Sequence, residues 1–212
     1  MDKFKVVYVD EDESDRTEFR VHFIGKEQCE LILLHPEENI DHMTQIIIDI
    51  NPDAVVSDFQ LKIKEPKVQY NGADLISKLK REKEYLPCFL LTSYEGEAVN
   101  HAVDVNWVHD KDELIPDGSE KPAFSVKVVQ QIHVNKTIVD NLKSERSELM
   151  GKASLNELEK RKLIDINNEI ERYLFKDEIL PKELKELDGL HKLDKLIELS
   201  ELLINSIESN KS

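Results

Sequence analysis

The chain has 212 residues, with 44 acidic against 29 basic and a formal charge of −15, a length that allows one core-bearing domain with an appendage or two small domains. No run approaches the roughly 18 apolar residues that cross a bilayer. The start, MDKFKVVYVDEDES, also lacks the apolar stretch and cleavage site of a signal peptide, so a cytoplasmic protein with no membrane partner is expected.

The charge is uneven along the chain. Residues 1–120 hold 13 Lys+Arg and 27 Asp+Glu, or −14, and residues 121–212 hold 16 and 17, or −1. Phosphate-backbone binding needs clustered Lys and Arg. Neither half offers a basic face, so no nucleic acid partner is expected.

Taken in order, FKVVYV (4–9), CELILL (29–34), DAVVS (53–57), CFLLT (88–92) and NWVH (106–109) read as five strands. Between them Glu13–Ile24, Asn39–Ile50, Asn71–Glu84 and Glu95–Val103 suit helices, and a fifth helix starts near Lys121 and runs to about residue 146. Near-continuous apolar strands alternating with helices imply an α/β fold, a doubly wound parallel sheet covered on both faces. Cys29 and Cys88 sit in apolar strand runs and behave as small hydrophobes. PDGSEKP (116–122) is the expected junction loop, dividing a core of residues 1–120 from a helical extension over 147–212.

The second half has no strand runs. Val126, Val129, Ile132, Val139 and Leu142 fall near helical spacing, with a break at Met150-Gly151-Lys152. Ser154 and Glu157 form a capping-box pattern before Leu155, Leu158, Leu163, Ile166, Ile170 and Tyr173. Pro181 opens a third stripe through Leu184, Leu187, Leu193, Leu196, Leu203 and Ile207, interrupted at Gly189. Such helices fit a hairpin or bundle packing on itself, on a second copy or on a partner; the pattern leaves all three open.

In a sheet of this kind ligands bind beyond the carboxyl ends of the strands. Asp10 and Glu11 end the first strand, Asp58 follows the third, Thr92 and Ser93 end the fourth, and Lys111 follows the fifth. Converging carboxylates need a cation, and oxygen-only ligands with an open position suit Mg²⁺. A metal, a carboxylate nucleophile, a hydroxyl and an ammonium group describe a phosphoryl-transfer site. The alternatives at each position are plain: a solvated acidic strand end, a Thr92 that caps the next helix, and a surface lysine beside Asp110 and Asp112.

This ordered set, with PDAVVSDFQL (52–61), NGADLISKLK (71–80) and PCFLLTS (87–93), resembles the receiver domain of two-component response regulators over residues 3 to about 145. The resemblance implies a CheY-like sheet ordered 2-1-3-4-5. It also implies an Asp58 that takes phosphate from a phosphohistidine, and a Mg²⁺ held by Asp10, Glu11, Asp58 and the main-chain carbonyl of Gln60. Thr92 is then the switch hydroxyl and Lys111 the phosphoryl partner. The protein would be a phosphoacceptor with autophosphatase activity rather than a turnover enzyme. Its implied partners are a histidine kinase or phosphotransfer protein, an effector protein, and a second copy paired through the C-terminal helices.

The sequence departs from the family pattern in three places. The Asp58–Gly72 spacing is longer than usual, and its loop KIKEPKVQY (62–70) carries Lys62, Lys64 and Lys67, read as solvated charges or a partner contact. Asp112 stands where the family has proline after the lysine. Val108 occupies the aromatic switch position, with Trp107 one place off. Tyr94, two places past Thr92, is a residue that could shield the phosphoryl group from water or simply pack on the surface. His133, in HVNKT, reads as an ordinary helical histidine, because Val134 follows it where sensor kinases carry an acid.

Two other readings compete. One is a stand-alone phosphate sink that drains a kinase without an effector. The other is a haloacid-dehalogenase-like phosphatase, since DEDES (10–14) fits that family's opening motif, with Asp10 as nucleophile and Asp12 as acid/base.

Overall fold

The computed structural model describes residues 3–23, 25–93, 98, 100, 104–114 and 123–173. The helix expected over 95–103, Tyr94, the junction loop 116–122 and the third C-terminal stripe lie outside the described residues, wholly or for the most part.

Five parallel strands, β1 (Phe4–Val9), β2 (Cys29–Leu34), β3 (Ala54–Asp58), β4 (Cys88–Thr92) and β5 (Val108–Asp110), form one sheet ordered β2-β1-β3-β4-β5. This is the doubly wound flavodoxin/CheY-like order, with its switch point between β1 and β3. Strand alternation sends successive side chains to opposite faces, and both faces are buried. Val7, Val9 and Val55 meet Met43 and Ile47 of α2 (Ile40–Ile50) and Leu75, Ile76 and Leu79 of α3 (Gly72–Glu82). Val6, Tyr8 and Val56 meet Phe19 of α1 (Glu13–His22) and Phe124, Val128 and Ile132 of α4 (Phe124–Met150). No described helix is long and apolar enough to cross a membrane.

Element ends differ from the sequence reading where side chains cap them. Asn39 and Asn71 lie outside their helices as N-caps: Asn39 accepts from the Asp41 and His42 amides, and Asn71 forms a capping box with Asp74. The Asp53 carboxylate accepts the Lys5 N–H at 2.8 Å, and the third strand starts at Ala54. Residues 105–107 form a 3₁₀ turn, which shortens β5 to three residues.

The fifth helix of the sequence reading, α4, continues to Met150 before turning at Gly151, whose N–H donates to the Ser147 carbonyl at 3.0 Å. The next helix, α5 (Glu157–Tyr173), is capped by Asn156 and Glu159, not by Ser154 and Glu157. Asn156 Oδ1 accepts from the Glu159 amide and Glu159 accepts from the Asn156 amide, each at 2.9 Å. Leu163, Ile166 and Ile170 pack on Leu142 and Leu149 of α4, forming a helical hairpin. Leu158 is 77% exposed and does not join them.

The far end of α5 returns to the sheet domain at the α3–β4 loop. The Tyr85 amide donates to the Arg172 carbonyl at 3.2 Å, and the Arg172 guanidinium forks onto Glu84 at 2.8 and 2.6 Å. The Tyr85 and Tyr173 rings lie 4.5 Å apart.

Candidate functional site

Strand register brings distant residues to one edge. Val9 pairs with Ser57 and Asp58 with Leu91, so Asp10 and Asp58 leave their strands at the same level; Thr92 pairs with Asp110, the residue before Lys111. Asp10 is 1% exposed, Asp58 6% and Thr92 1%. Gly72 allows α3 to pack this closely. A Cβ there would lie 2.0 Å from the Asp58 carbonyl oxygen and 2.7 Å from Leu90 Cδ1, so only glycine permits the approach.

The Lys111 ammonium is the hub. Its Nζ lies 2.7 Å from Asp58 Oδ1, 3.1 Å from Asp10 Oδ2 and 2.5 Å from Asp15 Oδ2. Asp10 also accepts the Tyr8 hydroxyl at 2.5 Å and the Asp12 amide at 2.7 Å, while the Gln60 amide donates to Asp58 Oδ2 at 2.5 Å. The acids crowded after β1 are thus divided, with Asp10 and Asp15 both on Lys111. Asp12 caps α1 through the Ser14 amide at 2.9 Å and pairs with Lys64 from the 62–70 loop.

Burial alone would lower the Lys111 ammonium, but Asp58 and Asp10 outweigh it and hold it above the ordinary lysine range. It stays charged. Burial raises the Asp58 carboxyl, against the opposing pull of Lys111. Burial pushes Glu11 up to about 7, with the charges of Asp10 and Asp58 adding to it. Lys64, with help from Ser14, holds Asp12 well below the usual carboxylate range. Burial and the neighbouring Asp10 keep the Tyr8 hydroxyl protonated.

Among the described residues no three of His, Cys, Asp or Glu stand ready as a metal cage. Asp10, Asp15 and Asp58 are drawn onto Lys111 instead. Glu11 Oε2, however, is a buried carboxylate oxygen that accepts no hydrogen bond. Such an orphaned acceptor beside Asp10 and Asp58 is what a hard divalent cation would satisfy, so the oxygen donor set fits Mg²⁺.

Of the residues expected here, Asp10, Asp58 and Lys111 meet directly, and the Gln60 main chain touches Asp58. Glu11 and Thr92 occupy the adjoining strand ends. Sequence reasoning missed Tyr8, Asp15, Arg16 and Gly72. Tyr8 was legible, being two residues before Asp10 on one strand face. Asp15, in the first turn of α1, and Arg16, which donates to the Asp10 carbonyl, need the helix direction to be known.

Two of the loop lysines are engaged: Lys64 on Asp12, and Lys67 on Glu38 at 2.9 Å. All peptide bonds among the described residues are trans. Trp107 packs on the α2/α3 core, with Lys80 Nζ 5.3 Å from its ring centroid. His133 is a solvent-exposed helical residue whose ring meets Phe4 edge-on at 4.9 Å. Cys29 and Cys88 are free thiols, and burial pushes Cys88 up to about 12.

No protein-family model and no curated protein matches the chain. Among solved structures, a putative response regulator from Chloroflexus aurantiacus is similar at 19% identity and TM-score 0.40, over 53% of this chain and 92% of that one. The RcsB response regulator of Salmonella typhimurium is similar at 12% identity and TM-score 0.44, over 87% and 99%. RcsB in complex with DNA is similar at 12% and 0.42, over 88% and 100%. By its own strand order the chain has a CheY-like fold with a helical C-terminal part.

Proposed function

We propose that the chain is a phosphoacceptor response regulator of a two-component or phosphorelay system, with Asp58 taking the phosphoryl group from a phosphohistidine. The observation that carries the reading is the buried Asp58 carboxylate 2.7 Å from Lys111, with Asp10 on the same ammonium and Glu11 beside them.

In the transfer, an Asp58 oxygen attacks phosphorus, the P–N bond breaks, and its electron pair returns to the imidazole of the donor. Lys111 remains protonated and donates to the phosphoryl oxygens, while the Thr92 hydroxyl lies at the next strand end to donate alongside it. Asp10, Glu11, Asp58 and the Gln60 carbonyl would hold Mg²⁺, which supplies neutralising charge to the transferring oxygens.

Output runs through protein contacts. Lys111 opens a 3₁₀ turn (Lys111–Leu114) whose Glu113 pairs with Lys127 of α4 at 2.6 Å and His109 of β5 at 3.3 Å. A change at Lys111 therefore has a short path to the long helix and its hairpin, where it alters pairing with an effector protein or a second copy. The charge of −15 favours a protein over nucleic acid as that partner. Asp12 serves as a helix cap and a lysine partner, which leaves the phosphatase reading without its proton donor.

Incubation with acetyl phosphate and Mg²⁺ tests the proposal. Intact-mass spectrometry is expected to show one added phosphoryl group, absent from Asp58→Asn. Retention of the group in Asp58→Asn refutes it.

A further inference from the structure

We infer that Asp15 is a positioning residue that holds the Lys111 ammonium in the resting protein and yields it when a phosphoryl group arrives on Asp58, thereby setting the rates of phosphoryl gain and loss. The inference rests on the reading of Asp58 as phosphoacceptor.

A lysine ammonium has three N–H donors, and here three carboxylates surround it: Asp15 at 2.5 Å, Asp58 at 2.7 Å and Asp10 at 3.1 Å. Its donor capacity is filled. A phosphoryl group on Asp58 takes up that carboxylate's own charge and brings three anionic oxygens to the same place, so Lys111 exchanges Asp58 Oδ1 for a phosphoryl oxygen, and for it to donate to a second one another partner must let go as well. Asp10 is poorly suited to that. Its side chain is 1% exposed, and the Tyr8 hydroxyl and Asp12 amide fix its oxygens in place, so losing the ammonium would leave a buried charge short of partners.

Asp15 differs on each count. Its side chain is 32% exposed, and its other hydrogen bond, from the Ser14 hydroxyl, is long at 3.5 Å. It also lies in the first turn of α1, where the unpaired amides of the helix end favour a negative charge. Released by Lys111, its carboxylate turns to water at little cost. Until then it competes with the phosphoryl oxygens for Lys111, and its charge opposes the approach of an anionic donor.

The test follows phosphoryl gain from acetyl phosphate with Mg²⁺, and loss after the donor is removed, by intact-mass spectrometry of the full chain. Wild type, Asp15→Asn, Asp15→Ala and Asp15→Glu are compared, with Asp58→Asn as the blank and thermal melts as the check on folding. Both uncharged variants are expected to gain the group about five-fold faster and lose it about five-fold more slowly, the size of one partly exposed ion pair. The gap should narrow in high salt. Asp15→Glu should restore both rates toward wild type.

Unchanged or slower gain in the uncharged variants overturns the role of Asp15, as does an Asp15→Glu chain that behaves like Asp15→Asn. A wild-type chain that takes no phosphoryl group overturns instead the functional reading, and this inference falls with it.

Discussion

Glu11 makes the metal-free protein sensitive to pH in a defined direction. Its carboxyl, pushed from 4.5 to about 7 by burial and by the charges of Asp10 and Asp58, keeps a proton in the folded chain that the unfolded chain has already released. Between pH 4.5 and 7 the folded state thus binds more protons, and stability falls as pH rises, levelling off above about 7. The whole interval at about 1.36 kcal/mol per pH unit would give about 3 kcal/mol. Glu11 is only partly buried, and solvent screening reduces this to about 1–2 kcal/mol. For a chain of this size that is a fall of about 5 °C in Tm.

Circular-dichroism melts in EDTA at pH 5, 6, 7 and 8, on wild type and Glu11→Gln, read the effect as the difference between two curves. Asp58, raised by burial, adds a slope of the same sign to both chains, so the difference between the curves reports Glu11 together with its coupling to Asp58. Adding Mg²⁺ at pH 8, where Glu11 is ionised, is expected to recover the lost stability in wild type only. A wild-type slope no steeper than that of Glu11→Gln would refute the reasoning.

Two further substitutions test the packing around the site and the hairpin. Gly72→Ala places a Cβ 2.0 Å from the Asp58 carbonyl oxygen. The helix must retreat, at about 2–3 kcal/mol in denaturant unfolding, with slower phosphoryl uptake as Asp58 shifts. Ile166→Ala removes a 5%-exposed side chain from the small α4–α5 cluster and is expected to cost about 2–4 kcal/mol there. Hydrogen exchange should then rise over residues 142–173, while labelling of Asp58 is unchanged.

The apolar runs of the strands and the capped amphipathic stretches between them determined the α/β class and five-strand count, because a parallel sheet buried on both faces needs residues such as Val6–Val9 apolar throughout. The same alternation places Asp10, Asp58, Thr92 and Lys111 at strand ends in the sequence itself. Helix limits were less legible. Asn39, Asn71 and Asn156 resemble helical residues in a hydropathy pattern but act as caps, a distinction that depends on backbone direction.

Only the tertiary structure decided how the acids are shared out. Asp12 goes to Lys64, Asp15 to Lys111, and Glu11 Oε2 is left without a hydrogen bond. Electrostatic pairing depends on distances between segments that no local pattern encodes. For the same reason, the return of Arg172 and Tyr173 to the α3–β4 loop could not be read from the leucine stripes. A stripe records that a face is buried, and the fold chooses what it is buried against.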